Sequence, residues 1–291
     1  MKIIPLDDQE GYVDYFVPKH SPATYGIIAA KGGGKTTLII NLLMFEYKGI
    51  YDKIYVLAPT ISTDNKWYKL LSVPHLLKKP KYTEDPDEIL KSPFEKKKGK
   101  KKDKFTGKMT PDAFIESDFA ENLQRIFDEK DAMEDKEARY CVVLDDLAGD
   151  KFFKSKIFLT CLLISRHIRI DMFYVSQFYM GLDRSVRINT SMFFIFNYPD
   201  IYEKEKFYNE HSMMLPKETW MAIYNHIMSD KSINRPFMTI NYGQRDKNKQ
   251  ITNSLEKYIY VNDNTINVSK AREKSSHSYA KHSSKHSHTK N

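Results

Sequence analysis

Thr24-Tyr-Gly-Ile-Ile-Ala-Ala-Lys-Gly-Gly-Gly-Lys-Thr36 is the stretch on which the fold turns. Its first seven residues form a short apolar run, as a buried parallel strand should. Lys31, Gly32, Gly33 and Gly34 break any regular element, and helical spacing resumes with Leu38, Ile39, Leu42, Leu43 and Phe45. From Ala29 to Thr36 the run matches G-x-x-x-x-G-K-[ST] except that Ala29 replaces the first glycine. Glycines let successive backbone N–H groups converge on a phosphate chain, and a helix starting near Lys35 adds its N-terminal dipole. The loop residues Lys31, Gly32, Gly33, Gly34, Lys35, Thr36 and Thr37 are thus expected to bind a nucleotide. Lys35 would reach the β- and γ-phosphates, and the Thr36 hydroxyl would ligate Mg²⁺. A glycine-rich turn that merely joins a strand to a helix is the plain alternative, but three consecutive glycines would waste stability there.

Outward from this loop, strand-like runs alternate with helical ones. Residues 53–60, 140–144, 170–177 and 191–197 read as strands, and residues 118–138 and 151–166 as helices. That alternation predicts an α/β fold with a central, mainly parallel sheet flanked by helices. Residues 63–111 are polar, contain five prolines and read as a basic, partly mobile insertion. Beyond about residue 200, helix candidates at 202–211 and 216–228 precede a hairpin expected between 237–242 and 255–261. The expected organisation is an N-terminal arm (1–23), an ATPase core (24–200), a small α+β C-terminal extension (201–267) and a disordered Ser/Lys/His tail (268–291).

Tyr140-Cys-Val-Val-Leu-Asp-Asp146 is an apolar strand ending in two carboxylates. At the carboxyl end of a parallel strand both would face the crevice where such sheets bind ligands. Asp145 would orient the Mg²⁺ shell and Asp146 would position or activate the attacking water. Taken alone, such a pair is more often a turn or helix cap. Its place 109 residues after Thr36 in an α/β pattern makes it the loop's natural partner. Gln177, at the end of the next strand, is placed to hydrogen-bond that water or the γ-phosphate. Arg166 and Arg169 precede the same strand, and an arginine reaching a neighbouring subunit's γ-phosphate would stabilise transition-state charge.

The net charge of +8 is concentrated: residues 95–108 carry +6, residues 268–291 carry +5, and the rest carries −3. Both basic segments suit non-specific contact with nucleic-acid phosphate, though lysine runs are also ordinary solvated loops. The two cysteines, Cys141 and Cys161, lie in apolar runs and are expected to be core thiols, so a reducing compartment is the default. No signal-peptide pattern or membrane-length apolar run occurs. His277, His282, His286 and His288 are irregularly spaced in the tail and do not read as a metal site of defined geometry.

Four pieces resemble the FtsK–HerA superfamily of DNA-pumping ATPases, and within it the poxvirus-type genome-packaging ATPases of large DNA viruses and virophages. They are residues 29–37, residues 140–146, Ser165-Arg-His-Ile-Arg-Ile-Asp-Met-Phe-Tyr-Val-Ser-Gln177 and Val186-Arg-Ile-Asn-Thr-Ser-Met-Phe-Phe-Ile-Phe196. The resemblance implies a RecA/FtsK-like P-loop fold and ATP-driven translocation of double-stranded DNA into a capsid by a homo-oligomeric ring. It also implies ATP and Mg²⁺ as cofactors, a capsid or portal-vertex protein as partner, and a host cytoplasm or viral-factory location, with virion association. Arg166 is the implied arginine finger, with Arg187 behind it. Ala29 departs from the glycine usual in the loop, and Asp146 stands where relatives often have Glu. A cellular or plasmid translocase or helicase, and an ATP-dependent switch or assembly scaffold that pumps nothing, are the competing functions.

Overall fold

A computed structural model describes residues 17–19, 21–63, 65–73, 75–78, 109, 111–147, 150–197, 200–212, 215–262 and 265–270. The lysine run at 96–108 and the tail from 271 lie outside these residues.

Ten strands form one sheet: β1 (Thr24–Ile28), β2 (Lys53–Leu57), β3 (Phe114–Ile115), β4 (Tyr140–Leu144), β5 (Ile170–Ser176), β6 (Met192–Phe196), β7 (Phe237–Asn241), β8 (Ile251–Asn253), β9 (Lys257–Asn262) and β10 (Thr265–Lys270). Their order is β10-β9-β8-β7-β6-β1-β5-β4-β2-β3. The six strands from β6 to β3 are parallel, and β7 to β10 continue the sheet antiparallel. The helices are α1 (Lys35–Asn41), continued by a π-helical turn (Leu42–Glu46), α2 (Phe119–Ala132), α3 (Asp150–Phe153), α4 (Lys156–Ile164), α5 (Arg184–Ile188), α6 (Ile201–His211) and α7 (Lys217–Met228).

Two-residue periodicity divides the buried side chains between the faces. Tyr140, Val142 and Leu144 of β4, with Met172 and Tyr174 of β5, pack against Leu123, Phe127, Phe158, Trp220 and Ile223 from α2, α4 and α7. Cys141, Val143, Phe173 and Val175 point the other way, toward Ile39, Leu42 and Leu43 of the first helix. Both strand faces are covered, which explains why these strands read as continuous apolar runs. The cysteines lie in opposite layers as free, buried thiols, and burial pushes Cys161 up to about 12.

At the amino ends of the strands, a buried ion pair holds Ser21 and Ala23 at the entry to β1. Arg139 Nε and Nη2 donate to Asp171 at 2.6 and 3.0 Å, Arg139 Nη2 donates to Ser21 O at 2.9 Å, and Ala23 N donates to Asp171 at 2.9 Å.

Four expectations need correcting. The insertion at 63–111 is not polar throughout: Trp67, Leu70, Leu76 and Met109 are buried in the α1 layer. The helix expected at 151–166 is two helices, because Ser155 caps α4 by accepting from Phe158 N. The hairpin partner of β7 is β8, a strand too short to show in the sequence, and left-handed backbone at Ser254 and Leu255 turns the chain so that β9 pairs with β8. The tail boundary at 268 falls inside β10, whose Lys270 is in register with Lys257.

Candidate active site

The parallel order brings the carboxyl ends of β1, β5 and β4 side by side, with β5 in the middle. Backbone pairing extends past the strand ends: Ala29 N donates to Ser176 O at 3.2 Å and Asp145 N to Leu57 O at 3.0 Å. The loop, the carboxylate pair and Gln177 are therefore delivered to one edge by the ladder itself.

Within the loop, Gly32 and Gly34 have φ of 75° and 103°, a region open to glycine at no steric cost. A Cβ on Gly33 would lie 2.9 Å from Ala29 Cβ and 3.0 Å from Ala30 O. Ala29 itself has no positive φ, so the first motif position tolerates a methyl group here and transfers the demand for smallness to Gly33. Lys31 and Thr37 are exposed, whereas Lys35 is 8% exposed. Lys35 Nζ donates to Ala29 O at 3.0 Å and Ala30 O at 3.1 Å, lying across its own loop. Burial lowers the Lys35 pKa, and the charges of Asp145 and Asp146 oppose that shift.

Thr36 Oγ1 donates to Asp145 Oδ2 at 2.7 Å, and Asp145 is 3% exposed. A hydroxyl and a carboxylate held together are hard oxygen donors, the type that Mg²⁺ takes alongside nucleotide phosphates. Asp146 follows with φ of 51°, a left-handed conformation that Asp adopts more readily than most residues and that recurs at functional positions. This turn separates the two adjacent carboxylates, and Gln177 Nε2 donates to Asp146 Oδ1 at 3.3 Å. Lys35, Thr36, Asp145, Asp146 and Gln177 thus form one connected site.

The two arginines diverge. Arg166 is exposed and precedes β5, whereas Gln177 follows it. At about 3.3 Å per residue the strand holds Arg166 roughly 20 Å or more from the loop of its own chain. Arg187 is buried: its Nε and Nη2 donate to Glu210 at 2.7 and 2.9 Å, and its Nη1 to Leu182 O at 2.6 Å. Arg187 is thus engaged within its own chain. It belongs to a network that the sequence did not disclose, because its members come from α5, the segment after β5, α6 and the end of β7. Tyr179 donates to Glu210, so its oxygen accepts from His211 Nε2–H, and His211 Nδ1 accepts from Tyr242 Oη. Burial raises the Glu210 pKa, but Arg187, Tyr179 and Lys206 outweigh it and hold the group at about 2. Burial lowers His211 to about 4.

A second residue escaped the sequence reading. Arg235, between α7 and β7, stands against Gly34. Among the described residues no group of three or more His, Cys, Asp or Glu could hold a metal ion, and no helix is long and apolar enough to cross a membrane.

Comparison with solved structures finds the B204 genome-packaging NTPase of Sulfolobus turreted icosahedral virus 2, in complex with ATP-gammaS, at 12% identity and a TM-score of 0.48, covering 86% of this chain and 97% of that one. The B204 DNA-packaging ATPase of Sulfolobus turreted icosahedral virus gives 13% identity and a TM-score of 0.47, covering 80% and 98%. The N-terminal domain of zonular occludens toxin from Neisseria meningitidis gives 17% and 0.35, covering 84% and 95%. No curated protein sequence matches the chain. A family profile described as "Poxvirus A32 protein" matches residues 113–272, a span that carries Asp145, Asp146, Arg166, Gln177 and Arg235 and leaves out the phosphate loop. Matched over more than half its length, this chain belongs to the Poxvirus A32 protein family.

Proposed function

We propose that the protein is an ATP-hydrolysing motor that drives double-stranded DNA into a viral capsid, working as a ring of identical subunits. Two independent lines support this reading. The family match covers the carboxylate pair and Gln177 but not the loop, and the geometry joins the loop to that pair through the 2.7 Å Thr36–Asp145 hydrogen bond. That bond is the observation that carries the nucleotide site.

The residues fit magnesium-ATP. A glycine cradle whose Gly33 has no room for a Cβ, a buried lysine and a paired hydroxyl–carboxylate are the groups that hold a phosphate chain and its cation. When bound, Mg²⁺ would neutralise charge on the phosphate oxygens. In this reading Lys35 leaves its loop carbonyls for the phosphates, Asp146 orients the attacking water, and Gln177 fixes the Asp146 carboxylate. Arg166 is too far from its own loop to serve it, so its phosphate role is on the neighbouring subunit's ATP. DNA contact is assigned to the two basic segments, acting on phosphate without base specificity.

The test is steady-state phosphate release with magnesium, with and without blunt duplex DNA, across a salt series. Expected are stimulation by duplex that fades with salt and loss of turnover in Lys35→Ala. Turnover indifferent to duplex at every salt concentration would favour a nucleotide switch or scaffold instead. A capsid or portal-vertex partner, and work in the host cytoplasm or viral factory, follow from the same reading.

A further inference from the structure

The antiparallel turn of the sheet after β6 has a local consequence at the nucleotide loop. Because β7 runs against β6, with Phe237 opposite Phe196, β7 begins at the edge where the parallel strands end. The residue two before that start, Arg235, is thereby placed beside the loop. Its Cδ and Nη1 stand 3.3 and 3.5 Å from the point where a Cβ on Gly34, the residue preceding Lys35, would lie.

Three properties distinguish this arginine from a side chain that merely covers backbone. Its φ is 63°, costly for a bulky residue and more so before proline, which disfavours helical conformations in the residue ahead of it. The chain on either side of it is anchored: Asp230 accepts from Asn253 Nδ2 at 2.8 Å and from Ser232 N at 3.0 Å, and Phe237 N donates to Ser254 Oγ at 3.0 Å. Finally, Arg235 is exposed and makes no hydrogen bond or ion pair with any described residue, so its guanidinium keeps its donors available beside the cradle. A left-handed backbone between anchored flanks, carrying an uncommitted guanidinium beside a phosphate loop, fits a ligand contact.

We infer that Arg235 is a phosphate-contacting residue, acting in cis on the phosphate chain of the nucleotide that its own loop binds. The inference rests on the nucleotide-binding reading of that loop. It adds a second cation to Lys35 at the cradle, and it makes the antiparallel extension part of the ATP site. Charge-assisted bonds from a planar guanidinium to phosphate are strong enough that their loss weakens binding about tenfold or more.

The experiment uses the full chain and its Arg235→Gly, Arg235→Lys and Lys35→Ala variants. A fluorescent ATP analogue is displaced by inorganic tripolyphosphate or by adenosine, and thermal unfolding is followed without nucleotide. Glycine accepts φ of 63° without strain, so Arg235→Gly should keep or raise the unfolding midpoint while tripolyphosphate competes about tenfold less well. Competition by adenosine should be unchanged, and Arg235→Lys should recover part of the loss. Equal tripolyphosphate competition in the unaltered chain and Arg235→Gly would overturn the inference alone. A loss confined to adenosine would also overturn it, by assigning the arginine to the base. No nucleotide binding by the unaltered chain would overturn the loop reading and this inference with it.

Discussion

Gln177 Nε2 donates to Asp146 Oδ1 across 3.3 Å, which ties the tip of β5 to the second of the two carboxylates that follow β4. The amide and the acid sit at the ends of adjacent, hydrogen-bonded strands, so a shift of one is felt by the other. Asp146→Asn should lower kcat by about 10²–10⁴-fold while leaving nucleotide binding intact, as loss of a general base does. Gln177→Ala should lower kcat less and leave the KM for ATP unchanged. Phosphate release measured beside equilibrium nucleotide binding checks both. A Gln177→Ala enzyme with normal kcat would remove the residue from the site.

The Thr36–Asp145 contact makes a separate prediction about the metal. Thr36→Val removes the hydroxyl with little change of shape. It should raise the Mg²⁺ concentration needed for half-maximal turnover by about 10–100-fold, the range typical for losing a group that organises a metal site. Titration of ATPase activity with Mg²⁺ reads this directly. An unchanged requirement would assign the 2.7 Å bond to structure alone.

Mixing subunits tests the trans role of Arg166. Alone, Lys35→Ala and Arg166→Ala should each be nearly inactive. Mixed, they should regain activity, since some interfaces then join an intact loop to an intact arginine. No recovery at any mixing ratio, with exchange confirmed by mass, would argue against action across the interface.

The polar network beneath the extension predicts an acid-sensitive fold. His211 is held at about 4, below the 6.5 of an exposed histidine, so the unfolded chain takes up its proton first. Stability should fall as pH drops from 6.5 toward 4, by at most ~3 kcal/mol from this group. Glu210, held at about 2 against an ordinary 4.5, contributes fully above 4.5 and loses its contribution as pH falls toward 2. Unfolding midpoints measured against pH should therefore decline in two overlapping steps, and His211→Gln should flatten the first. A midpoint that is level between pH 6.5 and 4 would contradict the neutral histidine.

Legibility in the sequence followed locality. Lys35, Thr36, Asp145 and Gln177 could be placed at one edge because each terminates a strand or starts a helix whose apolar pattern is plain. Asp146 was readable as an acid but not as a left-handed residue. The ion pair of Arg187 was not legible because Glu210, the carboxylate that engages it, lies 23 residues away on another helix. Arg235 belongs to no motif. Its place is set by the direction of β7, and β7 was visible while its partner β8, at three residues, was not. The lysine run and the tail were legible only as charge.

The continuity of the sheet bears on how this chain can be divided. Cutting near residue 200, at the border composition suggests, would strip β7 from β6 and leave Met-Phe-Phe-Ile-Phe with an open row of backbone donors and acceptors. Such an apolar edge recruits other strands. A fragment of residues 24–200 should form aggregates in size-exclusion chromatography where the full chain does not. What looks like a core with an accessory shares one continuous sheet, so removing the accessory would expose an apolar edge and also take Arg235 from beside the loop.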